Sequence, residues 1–169
     1  MKNTIKVFVL VALTLAAMSV SAQVKLGHIE TQKLIQAMPE WTAAQKTFEE
    51  EQKKVNTELN SLREQFQTKL AEYAEKMKTY SEAMRATTEE ELQGLQQRIQ
   101  RFQETAMAQL EKTQNDLMQP VMEKALNAIK EVGKENGFTY IFDMNAGILY
   151  AAENSQDVLP LVKKKLGLQ

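Results

Sequence analysis

Residues 55–80, VNTELNSLREQFQTKLAEYAEKMKTY, and residues 92–117, LQGLQQRIQRFQETAMAQLEKTQNDL, decide the fold. Both lie in a stretch from Ala43 to Val132 that is rich in Glu, Gln, Lys, Ala and Leu, with no proline before Pro120. In the first half an apolar stripe runs Phe48, Val55, Leu59, Leu62, Phe66, Leu70, Tyr73, Met77 and Tyr80, with Gln52 filling a turn. In the second half it runs Leu92, Leu95, Ile99, Phe102, Ala106, Leu110, Thr113, Leu117, Val121 and Ala125. Steps of three and four mark one narrow face of a helix. Each half also takes consecutive steps of four, a stutter that locally relaxes a left-handed supercoil.

Between the halves, Thr88 followed by Glu91 fits a capping box, and Glu89-Glu90-Glu91 suits a helix N-terminus. Folding the stretch back at residue 86 sets Phe66 opposite Ala106, Leu62 opposite Leu110, Tyr73 opposite Ile99 and Met77 opposite Leu95. In each pair the residue numbers total 172, as an antiparallel hairpin requires. The expected fold is α+β: a long antiparallel helical hairpin over 43–132, tip near 85–89, on a small β-sheet body built from 23–42 and 133–169. Each arm is about 60 Å long at 1.5 Å per residue.

Residues 1–22 carry the pattern of a cleavable signal peptide. Lys2 and Lys6 precede an apolar run from Val7 to Met18, and Val20-Ser21-Ala22 offers small residues for cleavage. The expected mature chain starts at Gln23 and is exported. Loss of the two lysines takes the formal charge from −1 to −3, so nucleic acid is not an expected partner. The chain has no cysteine, which excludes disulfides and thiol chemistry.

In the body, Val24–Ile29, Thr139–Asp143 and Ile148–Ala151 read as strands, the last two separated by the turn residues Asn145-Ala146-Gly147. Thr31 is the expected cap of a short helix carrying Leu34, Ile35 and Met38, which Pro39 stops, or else Pro39 opens the next helix. Trp41 lies at the junction with the long arm. Pro120 should kink the returning arm, Asn136-Gly137 should end it, and Asp157 should cap a last helix that tolerates Pro160. So few residues are marginal for an independent core, and three strands leave open edges. Copies joining their sheets would solve both problems. Leu26, Ile141 and Ile148 are the candidate oligomerisation residues.

Catalytic constellations are missing. His28 is the single histidine and reads as a strand residue, with no Ser/His/Asp arrangement to be built on it. The glycines are scattered, so no phosphate loop appears. Glu49-Glu50-Glu51 and Glu89-Glu90-Glu91 read as solvated helix faces, Lys163-Lys164-Lys165 as a helix C-terminus, and Asp143 and Asp157 as turn and cap residues. No enzyme activity, cofactor or metal is expected. What remains is surface. Met107, Met118 and Met122 lie beside the hairpin seam, where flexible thioethers can meet varied apolar partners or fill gaps, and they are the candidate client contacts.

The two ends carry a resemblance. Lys25-Leu26-Gly27-His28-Ile29, Gln32-Lys33-Leu34-Ile35 and Met38-Pro39-Glu40 precede the long helical region. Phe138 to Asp143, Ala146 to Ala151 and Ser155-Gln156-Asp157-Val158 follow it. In these segments and their order the chain resembles the Skp/OmpH family of periplasmic chaperones. The resemblance implies a homotrimer whose strands share a body and whose hairpins surround a cavity. It implies an ATP-independent holdase in the periplasm that carries unfolded outer-membrane proteins. The arms here are not net basic, so no membrane or lipopolysaccharide contact is carried over. The alternative is a structural coiled-coil spacer or adaptor of the cell envelope, which would dock one folded partner and ignore denatured ones.

Overall fold

The computed structural model describes residues 24–152 and 154–168. The signal peptide expected over residues 1–22 falls outside the described residues. The elements are β1 (Leu26–Ile29), α1 (Thr31–Gln36), α2 (Pro39–Lys76), α3 (Glu82–Glu135), β2 (Tyr140–Asp143), β3 (Gln156–Asp157) and α4 (Leu159–Lys165). The α+β fold with a dominant helical hairpin stands.

Proline and serine set the arm ends. Pro39 opens α2 at its first turn, where a missing N–H costs nothing. Ser81 caps α3 by accepting the Met84 N–H at 3.3 Å. The fold-back expected at residues 85–89 is therefore corrected: the turn is Met77–Ser81, and Ala86 to Glu91 lies inside α3. Thr88 does not cap a helix. Its hydroxyl donates to the Met84 carbonyl at 2.9 Å, and Thr87 donates to Ala83 at 3.0 Å, the back-bonding of threonines within a helix.

The register moves with the turn. On α2 the inward positions are Ala44, Phe48, Glu51, Val55, Leu59, Leu62, Phe66, Lys69 and Tyr73. Each has a sheltered counterpart on α3, from Leu117 back to Thr88. Val55 mirrors Ala106, Leu59 mirrors Phe102 and Leu62 mirrors Ile99, every pair totalling 161. Polar contacts across the arms agree: Tyr73 bonds to Glu89 and Lys69 pairs with Glu91, totals of 162 and 160. The expected total of 172 is thus wrong by 11. Eleven residues make three turns at 3.67 residues each, so the slip lays one apolar stripe over itself. Lys69 takes the seam position that apolarity assigned to Leu70, and Glu51 takes the one that Gln52 was expected to fill. The stutter of α2 is Glu51-Val55-Leu59, facing Phe102-Ala106-Leu110.

The returning helix is the longer, at 54 residues against 38, and its last turns wall the body. Val121, Ala125, Ala128 and Val132 pack with Ile29, Leu34, Ile35 and Met38 and with Val158 and Val162 of the C-terminal segment. Core thus crosses the boundary expected at residues 132–133. Trp41 packs against the same cluster, as expected of a junction residue. Helix α3 runs through Pro120 and ends in a Schellman motif. The Phe138 N–H reaches the Gly133 carbonyl at 2.9 Å, the Gly137 N–H reaches Lys134 at 3.3 Å, and Gly137 has φ 67°.

The sheet has the order β2-β1-β3, with both pairs parallel. Gly27 in the central strand is required by packing, because a Cβ there would meet Phe138 and Val158 at 2.9 Å. Two expectations fail here. Thr31 does not cap α1; its N–H instead donates to the Asp143 carboxylate at 3.3 Å. The turn after β2 forms, with the Ala146 N–H on the Asp143 carbonyl at 3.0 Å and Gly147 at φ 85°. Yet Ile148–Ala151 is not a strand within the chain, and Gln156–Asp157 pairs with β1 in its place. A segment of β-prone residues becomes a strand only when it finds a ladder partner, and within the chain both sides of β1 are taken by β2 and β3.

Candidate functional site

Asp143 organises the N-terminal end of α1 and the turn behind it. Its carboxylate accepts the Thr31 N–H, and the Asn145 N–H at 3.0 Å and Nδ2 at 3.2 Å. Burial pushes its carboxyl up, but these donors outweigh burial and hold it below its ordinary value of 3.8. Asp157 accepts the Leu159 N–H at 2.9 Å, but the N-cap of α4 is Val158, so Asp157 steadies the helix start from one residue before the cap position expected of it. His28 Nδ1 lies 2.8 Å from the Ser155 hydroxyl, which ties β1 to the segment entering β3. With its Oδ1 on the α4 backbone, Asp157 serves the helix start. Lys165 bridges Glu131 at 3.1 Å and Glu135 at 2.6 Å, fastening α4 to α3. The Glu135 and Glu131 carboxylates raise its ammonium above the ordinary value.

Strand alternation sorts the candidate oligomerisation residues. Register pairs Leu26 with Tyr140 and His28 with Phe142, so these four share one face of the sheet. Leu26, Tyr140 and Phe142 are exposed there, and the Tyr140 and Phe142 rings stack with centroids 6.1 Å apart. Ile141 points the other way, into its own chain's core. Its Cδ1 lies where a Cβ on Gly133 would meet it at 3.3 Å. Ile148 is half-buried, while Leu149 and Tyr150 beside it are 99% and 80% exposed. Of the three candidates only Leu26 lies on the open face. The aromatic residues of that face were not singled out in the sequence, although the alternation of β2 around Ile141 carried the signal.

The hairpin has two chemically different flanks. The arms run in opposite directions, so positions one residue after each seam position fall on the same broad face of both. On this flank a groove of about 470 Å³ is lined by Val55, Asn56, Leu59, Gln103, Ala106 and Met107. A smaller one of about 210 Å³ lies nearer the body, between Trp41, Gln45 and Phe48 of α2 and Gln114, Leu117 and Met118 of α3. Met122 and Leu126 continue the flank and are exposed. The structure therefore brings Met107, Met118 and Met122 onto one flank. Their settings differ: Met107 is 75% exposed, and Met118 packs against the body core.

The opposite flank, one residue before each seam position, is charged. Its groove of about 800 Å³ is lined by Ser61, Gln65, Lys69, Glu91, Gly94 and Arg98, among others. Among the described residues no helix is long and apolar enough to cross a membrane. Nor do three or more His, Cys, Asp or Glu side chains gather there to hold a metal ion.

A comparison with curated proteins gives no match. A comparison with protein families gives one that covers the hairpin and both parts of the body. The match, over residues 25–166, is to the family described as outer membrane protein (OmpH-like). The order of terminal strand, long hairpin and returning strand is the order that the resemblance to Skp/OmpH implied, and the chain belongs to the OmpH-like family.

Proposed function

We propose that the protein is an ATP-independent holdase of the periplasm. It binds unfolded outer-membrane proteins between its helical arms and prevents their aggregation on the way to the outer membrane. Family membership supports an envelope chaperone role. The observation that carries the finer proposal is the division of the molecule. A packed body sits at one end, and two arms project from it with open apolar grooves along one flank. Such grooves suit many weak contacts, which hold a client without blocking release, and enclosure multiplies them through effective concentration.

The proposed assembly is a homotrimer, its number taken from the family. Its physical motive is the open sheet face of Leu26, Tyr140 and Phe142 together with the exposed Leu149 and Tyr150. Large apolar side chains left exposed in this number suit an interface. Export by a cleavable signal peptide belongs to the same proposal.

The test is dilution of a urea-denatured β-barrel membrane protein into buffer, with and without the purified mature chain and without nucleotide. Retention of the barrel protein in solution is the expected result. Aggregation at the same rate in both samples, with capture of a single folded envelope protein instead, would support the spacer or adaptor.

A further inference from the structure

The flank that carries the methionines is also a field of carboxamides. One residue beyond the seam positions, α2 presents Gln45, Gln52, Asn56, Asn60 and Gln67. The matching positions of α3 present Gln93, Gln96, Gln100, Gln103 and Gln114. Among these the charged residues are Glu49, Arg63, Glu89 and Glu111. The other flank reverses the balance. Gln65 and Gln109 are its amides, while Glu50, Lys54, Glu58 and Glu72 on α2 and Glu91, Arg98, Arg101, Lys112 and Asp116 on α3 charge it. The two faces of one hairpin thus differ in kind, one mostly amide and the other mostly charged.

The amides are available. Among the described residues Gln100 is the one of the ten with a side-chain hydrogen bond, a long one of 3.3 Å to Glu104. Gln45, Asn56, Gln100, Gln103 and Gln114 line the grooves already described, beside Val55, Leu59, Met107 and Met118. Each carboxamide offers two donors and an acceptor, the same groups that a peptide bond needs. A charged side chain offers donors or acceptors alone and prefers a partner of opposite sign.

We infer that this amide–methionine flank is a docking face for extended, unfolded polypeptide, with the carboxamides hydrogen-bonding the client's unpaired backbone and the methionines and groove residues taking its apolar side chains. The inference rests on the proposed holdase function and adds the face and the chemistry of recognition. The near-neutral, hydrogen-bonding surface complements a polypeptide backbone, which is uncharged and carries one donor and one acceptor at almost every residue. A strand destined for a barrel presents these groups unpaired until it folds. Backbone recognition is independent of sequence, as a binder of unrelated unfolded chains requires.

The experiment uses the full mature protein and a fluorescent, net-neutral, strand-forming peptide of alternating Val and Thr, alongside the denatured β-barrel protein. One variant carries Gln52→Glu, Asn56→Asp, Gln100→Glu and Gln103→Glu. Its control carries Ser61→Glu, Gln65→Glu, Thr105→Glu and Gln109→Glu on the opposite flank. The first should weaken peptide binding at least about tenfold, the equivalent of one or two lost hydrogen bonds. The control should change it less than about twofold, since surface changes away from contacts are small.

Alternate N-methylation of the peptide, which removes backbone donors and keeps the side chains, should weaken binding to the wild type by a similar factor. Photo-crosslinkers at Asn56 and Gln103 should capture the peptide, and those at Gln65 and Gln109 should not. The crosslinking arm stands even if a substituted variant fails to fold. Equal losses from both flanks, capture at Gln65 and Gln109, or indifference to N-methylation would overturn the inference while leaving the holdase in place. Failure of the wild type to hold the denatured barrel would instead remove the holdase. Loss of assembly rather than of binding in the amide variant would show that the flank packs copies of the chain together, which also overturns the inference.

Discussion

Lys69 of α2 pairs with Glu91 of α3 across the hairpin, and the pair marks where the two arms meet. Lys69 occupies a seam position, mirrored by Leu92, with its charged end carried outward to Glu91. A lysine stem can cover apolar surface in this way while its ammonium stays in water.

The pair itself should matter little. Its partners are 35% and 51% exposed, and exposed ion pairs contribute about 0–1 kcal/mol. Lys69→Leu should therefore raise the melting temperature slightly, because Leu fills the seam against Leu92 while a weak ion pair is lost. A fall of several degrees in thermal denaturation would show the charge to be structural.

The register is open to direct test. Cysteines at Val55 and Ala106, or at Leu59 and Phe102, should form disulfides within one chain under mild oxidation, because these pairs stand at mirror positions. Cysteines at Phe66 and Ala106 are about three helical turns out of register and should not link. Mass spectrometry of peptides after digestion reads the outcome, and efficient linking of the second pair would refute the register.

Asp143 should make the body acid-sensitive. Its folded-state value is depressed, so its contribution is complete above the ordinary 3.8 and is lost as pH falls through the lowered value. Asp143→Ala should cost about 1–2 kcal/mol near neutral pH, the usual cost of losing a cap. Asp143→Asn keeps an acceptor and should cost less. The gap between wild type and Asp143→Asn, measured by chemical denaturation, should narrow as pH drops from 3.8 downward. A gap that widens in acid would contradict the hydrogen-bonded carboxylate.

Ile141 and Phe142 should behave differently despite being neighbours. Ile141→Asp buries a charge against α3 and should unfold the body, because an unpaired buried charge is costly. Phe142→Asp changes the open face and should leave a folded chain that does not assemble. Circular dichroism with sedimentation separates the two outcomes. An assembled Phe142→Asp protein would remove this face from the proposed interface.

The methionines divide by position. Met107→Gln should leave stability unchanged, since Met107 is mostly exposed and the two residues have similar helix propensity. Met118→Gln should destabilise by about 1–2 kcal/mol, because it places an amide against the body core. Client capture should weaken for Met107→Gln and change little between low and moderate salt, since apolar burial is not screened as exposed charges are. Collapse of binding with salt, together with normal binding by Met107→Gln, would move the site to charged groups such as Lys76, Lys78 and Arg85.

The amino-acid sequence by itself determined the class of the fold, the existence of the hairpin and the face that each arm turns inward. Helical periodicity is a local property, and Val55, Leu59, Leu62 and Phe66 display it without reference to any partner. The same holds for the helix stop at Asn136-Gly137 and the junction role of Trp41, which depend on neighbours in the chain, whereas the sequence allowed Pro39 either to stop one helix or to open the next and the structure chose the second. Only the tertiary structure decided the register, because a stripe that repeats after three turns matches its partner equally well after a slip of 11 residues. Ser81 as the cap, and the lysine stem of Lys69 in the seam, break that degeneracy. The tertiary structure also decided which side of β2 is open and which strand flanks β1. Ile141 and Phe142 are both apolar, and which of them faces the core depends on where α3 lies across the sheet. Asp143 at the start of α1 and Ser155 beside His28 join residues more than a hundred positions apart. Such contacts leave no period in the sequence, because they follow from how finished elements pack.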